Sequence, residues 1–212
     1  MTGPDGRWIS VTAEGEATVA PDLALVSFAV TGSGKELGPT RDDVNARSSA
    51  VLARLRELGL ADADLNAPDV GIHPEYDYRK GQKLVGYRVV RQMTARVRDL
   101  DALGEILDGL VVAGANEVGG AHMTASDPSA AENEALRAAM NSARAKAEVL
   151  ADAAGVTLGD VVRIEEDRGS GVVPMPRFRA IAAMEAAGSP TEVAAGDLTL
   201  TRQIRAWFTI GS

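Results

Sequence analysis

Stretches in which apolar residues recur at every second position alternate along this chain with stretches in which they recur at every third or fourth. Ile9, Val11 and Ala13 alternate with polar residues, Gly15 interrupts, and Ala17 and Val19 resume before Pro21-Asp22. That is the pattern of a strand, with a glycine where the strand bulges or another backbone comes close. Ala24, Val26, Phe28 and Val30 predict a second strand, an antiparallel partner of the first through a short turn. Thr40 and Asp43 resemble a capping box ahead of a helix on Val44, Val51, Leu52, Leu55 and Leu58, which Gly59 ends. Val70, Ile72, Pro74 and Tyr76 predict a strand whose prolines place it at a sheet edge. The longest alternation runs from Val85 to Val97, and Asp99 then caps a helix with Leu103, Ile106, Leu107 and Leu110 on one face. Val118 to Ala125 reads as a glycine-containing strand.

Asp127–Gly155 carries the clearest helical signature. Asp127 sits at the N-cap, Pro128 fills the first helical position, and Gly155 supplies the left-handed residue after the last turn. Leu136, Met140, Ala143, Ala147, Leu150 and Ala154 form its apolar stripe. A stripe so rich in alanine predicts close packing on a flat partner such as a sheet. Val161–Ile164 predicts a strand, and Leu198, Leu200, Ile204, Ala206, Phe208 and Ile210 predict a closing strand whose face Arg202 interrupts. The expected architecture is α+β in two parts, with antiparallel sheets and helices packed on one face. Residues 7–83 with 196–212 form the first block. Residues 84–166 form a ferredoxin-like block inserted into it, and 167–195 form a long apolar, Gly- and Pro-rich loop.

Composition narrows the partners. Thirty acidic residues against 22 Lys and Arg give a formal charge of −8, which argues against nucleic acid and against an anionic membrane surface as the main partner. With no cysteine, disulfides and thiolate chemistry are excluded. No apolar run precedes the first strand and none is long enough to span a membrane, so a cytoplasmic location is expected for the chain as given. No cofactor motif is present, and no cofactor is expected.

Several motifs together resemble one family. They are VTAEGEATVAPD at the start, Pro74 and Tyr76 with Gly86-Tyr87, Gly114-Ala115-Asn116, the stretch from Glu134 to Glu166, and AAGDLTLTRQIRAWFTI at the end. The chain resembles the SIMPL-domain proteins, a family of unknown function that includes periplasmic immunogenic proteins, from about Trp8 to Ile210. Ala13 stands where the family's first glycine is usual, and Asp197 where glutamate is common. The resemblance implies a two-part α+β fold and a tendency to form homo-oligomers. It carries no catalytic residues.

Candidate chemistry is thin. His73, Glu75 and Asp77 share a predicted strand face, the basis for an alternative reading as a metal-assisted hydrolase or a small-ligand binding module. Solvated edge charges are the competing account. Gly32-Ser33-Gly34 lacks both the nucleophile elbow and the Lys-Ser/Thr of a phosphate loop. The stronger expectation is a non-enzymatic protein whose partner is itself. Val172, Val173, Met175, Phe178, Ile181 and Met184 on the long loop, with Trp207 on the polar face of the last strand, are the oligomer-interface candidates.

Overall fold

The computed structural model describes residues 6–68, 70–79, 81–167, 175–176 and 196–211. Its elements in chain order are β1 (Trp8–Val19), β2 (Leu23–Gly34), α1 (Leu37–Glu57), β3 (Leu65–Asn66), β4 (Val70–Asp77), β5 (Lys83–Val97), α2 (Leu103–Val112), β6 (Glu117–Thr124), α3 (Ser129–Ala154), β7 (Thr157–Glu166), β8 (Met175–Pro176) and β9 (Leu198–Gly211). All strand pairs between these elements are antiparallel. The fold is α+β, as the patterning predicts.

One compact unit contains β1, α3, β7, β8 and β9. β9 is its central strand, paired with β1 on one side and with β7 and β8 on the other. Val11 and Ala13 from β1 and Ile204, Ala206 and Phe208 from β9 face Ala139, Ala143 and Ala147 of α3. The buried line of α3 is Ala131, Ala135, Ala139, Ala143, Ala147 and Ala151, one every four residues. Leu136 and Met140 flank it half-buried, and Leu150 is exposed, so the expected stripe is rotated by about one position. The small line explains Gly15. A Cβ there would lie 2.1 Å from the Ala139 backbone nitrogen and 2.2 Å from the Ala135 carbonyl oxygen. The helix backbone therefore rests directly on the strand. At the helix ends, Asp127 accepts the Ser129 N–H at 3.0 Å, and Gly155 takes φ 67°.

The other unit contains Asp22–Thr124. Its sheet runs β3-β5-β2-β6, with β4 also paired to β5. Val44, Val51 and Leu55 of α1 and Leu103, Ile106 and Leu110 of α2 fill the space over Ala24, Val26, Phe28 and Val30 and over Val89, Met93, Ala95 and Val97. This is a core of interlocking large side chains. Thr40 does not open α1 as a capping residue. It lies inside the first turn and its hydroxyl donates to the Glu36 carbonyl at 2.7 Å, while Asp43 pairs with Arg47.

Strand partners differ from the simplest expectation. β1 and β2 do not form a hairpin: β9 takes the whole length of β1, from Trp8↔Thr209 to Val19↔Leu198, and β2 lies between β5 and β6. Pro21-Asp22 thus passes the chain from one unit to the next. A division at residue 83 would cut the β4–β5 ladder, which runs from Val70↔Arg91 to Asp77↔Lys83. It would also group α3 with β5, whereas α3 packs on β1 and β9.

Candidate functional site

The sheet face that α3 leaves uncovered is polar, and its charged side chains are engaged by an ion pair and by hydrogen bonds to neutral partners. Arg163 on β7 stands opposite Trp207 on β9, with its guanidinium carbon 5.0 Å from the indole centroid, and it also pairs with Glu165. Gln203 donates to Glu14 at 2.8 Å, and Arg205 donates to the Thr12 hydroxyl at 3.4 Å. Thr12, Gln203 and Arg205, with Glu165, Glu166 and Asp167, line a shallow depression of about 350 Å³. These contacts arise because strand alternation sends Gln203, Arg205 and Trp207 to one side while Ile204, Ala206 and Phe208 go to the core. Trp207 is only 7% exposed. It is not the open aromatic expected of an interface residue: the apolar ring is covered and its face is occupied by a cation.

Along the free edge of β1 the same unit carries a groove of quite different character. Ser10, Val11 and Thr12 on β1 and Ser142, Ala145, Lys146, Val149 and Leu150 on α3 border an open, shallow groove of about 610 Å³. Val149 is 68% exposed and Leu150 48%, large aliphatic side chains with no place in the alanine line. Lys146 crosses the groove to donate to the Thr12 carbonyl at 3.2 Å, satisfying a backbone acceptor on the edge strand. A lysine there blunts pairing by a foreign strand, so the apolar walls rather than the strand edge are the free surface. Nothing in the alternation of β1 marks this groove. The signal was Leu150, assigned to a buried stripe that the alanines occupy instead.

His73 and Glu75 lie on the helix-free face of the five-stranded sheet. His73 stands opposite Arg88, which pairs with Glu117 at 3.0 Å, and Glu75 accepts only a long 3.5 Å contact from Ser33. Asp77 accepts the Arg79 N–H at 2.8 Å within its own turn. Residues four apart on a strand are about 13 Å apart, so His73 and Asp77 cannot share an ion although they point the same way. Among the described residues no three His, Asp or Glu side chains are placed to hold a metal. Val172, Val173, Phe178, Ile181 and Met184 lie outside the described residues. Met175 belongs to β8, opposite Thr199.

Asn116 is the residue whose role is most clearly fixed by geometry. Its amide nitrogen donates to the Thr31 carbonyl at 2.9 Å and its amide oxygen accepts the Thr31 N–H at 2.7 Å, so the side chain continues the pairing of β2 where β6 begins. The Gly114-Ala115-Asn116 turn is therefore structural: Gly114 takes φ 112° to leave α2, Ala115 is buried, and Asn116 locks the strand.

Residues 9–208 match the family described as SIMPL, protein of unknown function (DUF541). The chain belongs to the SIMPL family. A 26 kDa periplasmic immunogenic protein of Brucella melitensis is 36% identical over 220 residues, covering 99% of this chain and 87% of that one. An uncharacterised YggE protein of Edwardsiella ictaluri is 31% identical over 87% of this chain and 77% of its own length. YggE of Escherichia coli K12 is 28% identical over 89% of this chain and 77% of its own length. The periplasmic designation of the Brucella relatives overturns the expected cytoplasmic location and points to export. Among the described residues no helix is long and apolar enough to cross a membrane.

Proposed function

We propose that this SIMPL protein is a non-catalytic, self-assembling component of the cell envelope, acting in the periplasm as the names of its Brucella relatives suggest. The observation that carries the assembly reading is the β1–α3 groove, where Val149 and Leu150 stand open beside Val11 with no partner in their own core. Exposed aliphatic surface of this kind is characteristic of protein contacts. The apolar residues of the 167–195 stretch, Val172, Val173, Met175, Phe178, Ile181 and Met184, supply the chemistry to fill it from a second copy. Support for a non-catalytic role comes from the polar sheet face, where Arg163 is paired with Glu165, Glu14 accepts from Gln203 and Arg205 donates to the Thr12 hydroxyl.

Size-exclusion chromatography with light scattering tests this directly. The chain is expected to elute as an oligomer at micromolar concentration, and Leu150→Glu or deletion of residues 172–186 is expected to shift it to smaller species. A wild-type chain that stays monomeric refutes the assembly reading.

A further inference from the structure

The β4–β5 hairpin extends past the rest of its sheet. The last β2–β5 pair is Gly34↔Tyr87, after which β4 and β5 continue alone through Glu75↔Gly86, Tyr76↔Leu84 and Asp77↔Lys83. Three more pairs carry the arm roughly 10 Å beyond β2. This arm is apolar where it is free. Ile72, Tyr76, Leu84 and Val85 are all exposed, and Tyr78 at the turn is 71% exposed, its ring 6.3 Å from that of Tyr76. Ile72 and Tyr76 fall on one side of β4, and the register places Leu84 opposite Tyr76. His73, Glu75 and Asp77 fall on the other.

The charges at the tip are equally one-sided. Between Tyr76 and Val85 the sequence has Arg79, Lys80 and Lys83 against the single acid Asp77, in a chain whose formal charge is −8. The Asp77 carboxylate is already engaged by the Arg79 N–H at 2.8 Å. Tyrosines, aliphatic residues and cations gathered at one projecting end match the layering of a bilayer interface. Phosphate meets Lys and Arg, the glycerol region meets tyrosine, and the acyl boundary meets Leu and Val.

We propose that the arm docks tip-first on an anionic phospholipid surface, with Tyr76, Tyr78, Leu84 and Val85 entering the interface and Arg79 and Lys83 reaching the headgroup phosphates. Interfacial segments bury about 5–10 Å, a depth the arm can supply. The acidic remainder of the chain does not prevent this, because charges more than about 8–10 Å from the surface are largely screened at physiological salt. Two features disfavour a second copy as occupant. Pro74 has no N–H, which weakens β4 as an edge for strand addition, and two tips of the same sign repel. The inference is independent of the β1–α3 groove.

Co-sedimentation of the full chain with vesicles decides it. Binding is expected to vesicles of phosphatidylcholine mixed with phosphatidylglycerol, little to phosphatidylcholine alone, and less on addition of salt. Lys83→Glu is expected to lower the affinity about fivefold or more, and Tyr78→Ser combined with Leu84→Ser by roughly tenfold. Val112→Ser, at a site 86% exposed on α2, is expected to leave it unchanged. Circular dichroism of each variant checks that the fold is kept, and the surface charge change Lys83→Glu remains informative if the double variant misfolds. The proposal is overturned if phosphatidylglycerol vesicles do not bind, or if the arm variants bind as well as Val112→Ser. It is equally overturned if arm substitutions change the oligomer size in light scattering while no variant binds lipid, which would assign the arm to a protein contact.

Discussion

The two units solve the same problem, covering one face of a sheet, by opposite means. Over β2 and β5 the helices stand off and the gap is filled by Val44, Val51, Leu55, Leu103, Ile106 and Leu110. Over β1 and β9 a single helix settles until its backbone touches the strand, and its contact line is alanine throughout. The first arrangement takes its stability from volume buried per side chain, and it loses burial and gains a cavity when one is trimmed. On its helix side the second has almost no side chain to trim, and it depends on the shortness of the approach. A large-side-chain core should therefore be sensitive to deletion, and the alanine seam to addition.

Gly15→Val should break the seam most severely. Its branched side chain would occupy the space of the Ala135–Ala139 helix backbone, which cannot yield as a side chain can. Overpacking ordinarily costs about 1–3 kcal/mol; with backbone on the receiving side the loss is expected to exceed about 4 kcal/mol in urea unfolding. Hydrogen exchange should rise in β1, α3 and β9 before it rises in β2 or β5. An unchanged midpoint would mean that helix and strand are not in contact.

Leu55→Ala and Ala139→Gly sharpen the contrast by deletion. Leu55 is completely buried, and its truncation is expected to cost about 2–5 kcal/mol through lost burial and an unfilled cavity. Ala139 is equally buried, yet its replacement by glycine is expected to cost only about 1 kcal/mol, mostly helix propensity. Equal losses in the two unfolding curves would show that burial alone, and not the style of packing, governs both units. The smallest effect is expected from Asn116→Ala, roughly 1 kcal/mol for the paired hydrogen bonds to Thr31, because that position is open to water. Its signature is local: faster exchange of the Thr31 amide, with the two cores undisturbed.

Helix α3 was legible because its signals are local. Asp127, Pro128 and Gly155 announce its ends within the sequence itself, and the alanine content predicts a close partner. What the sequence left ambiguous was which apolar residues form the contact line, since Leu136, Met140 and Leu150 outrank alanine in hydrophobicity but are too large for the gap over Gly15. The strands were individually visible, and so was the return of the last strand to the first block, but the separation of β1 from β2 was not. Proximity along the chain favours pairing β1 with β2, whereas the pairing realised depends on matched lengths and faces at opposite ends of the chain. The shared strand face of His73, Glu75 and Asp77 was legible from alternation, but alternation says nothing about the distance that separates the first from the last. The β1–α3 groove and the hairpin arm were hidden for a related reason: Leu150, Leu84 and Val85 look like core residues until the structure shows them exposed among the described residues.

The β1–β9 ladder also sets an order of events. Glu14 and Gln203, joined across it, are 189 residues apart, while the described residues of the other unit, Asp22–Thr124, are continuous in sequence. During synthesis, that middle stretch has its strand and helix partners among the described residues well before β9 is made. β1, though made first, must wait for the last strand, with its apolar face unclosed in the meantime. Any factor that holds the nascent chain would therefore meet β1 still unpaired after the Asp22–Thr124 strands and helices have come together.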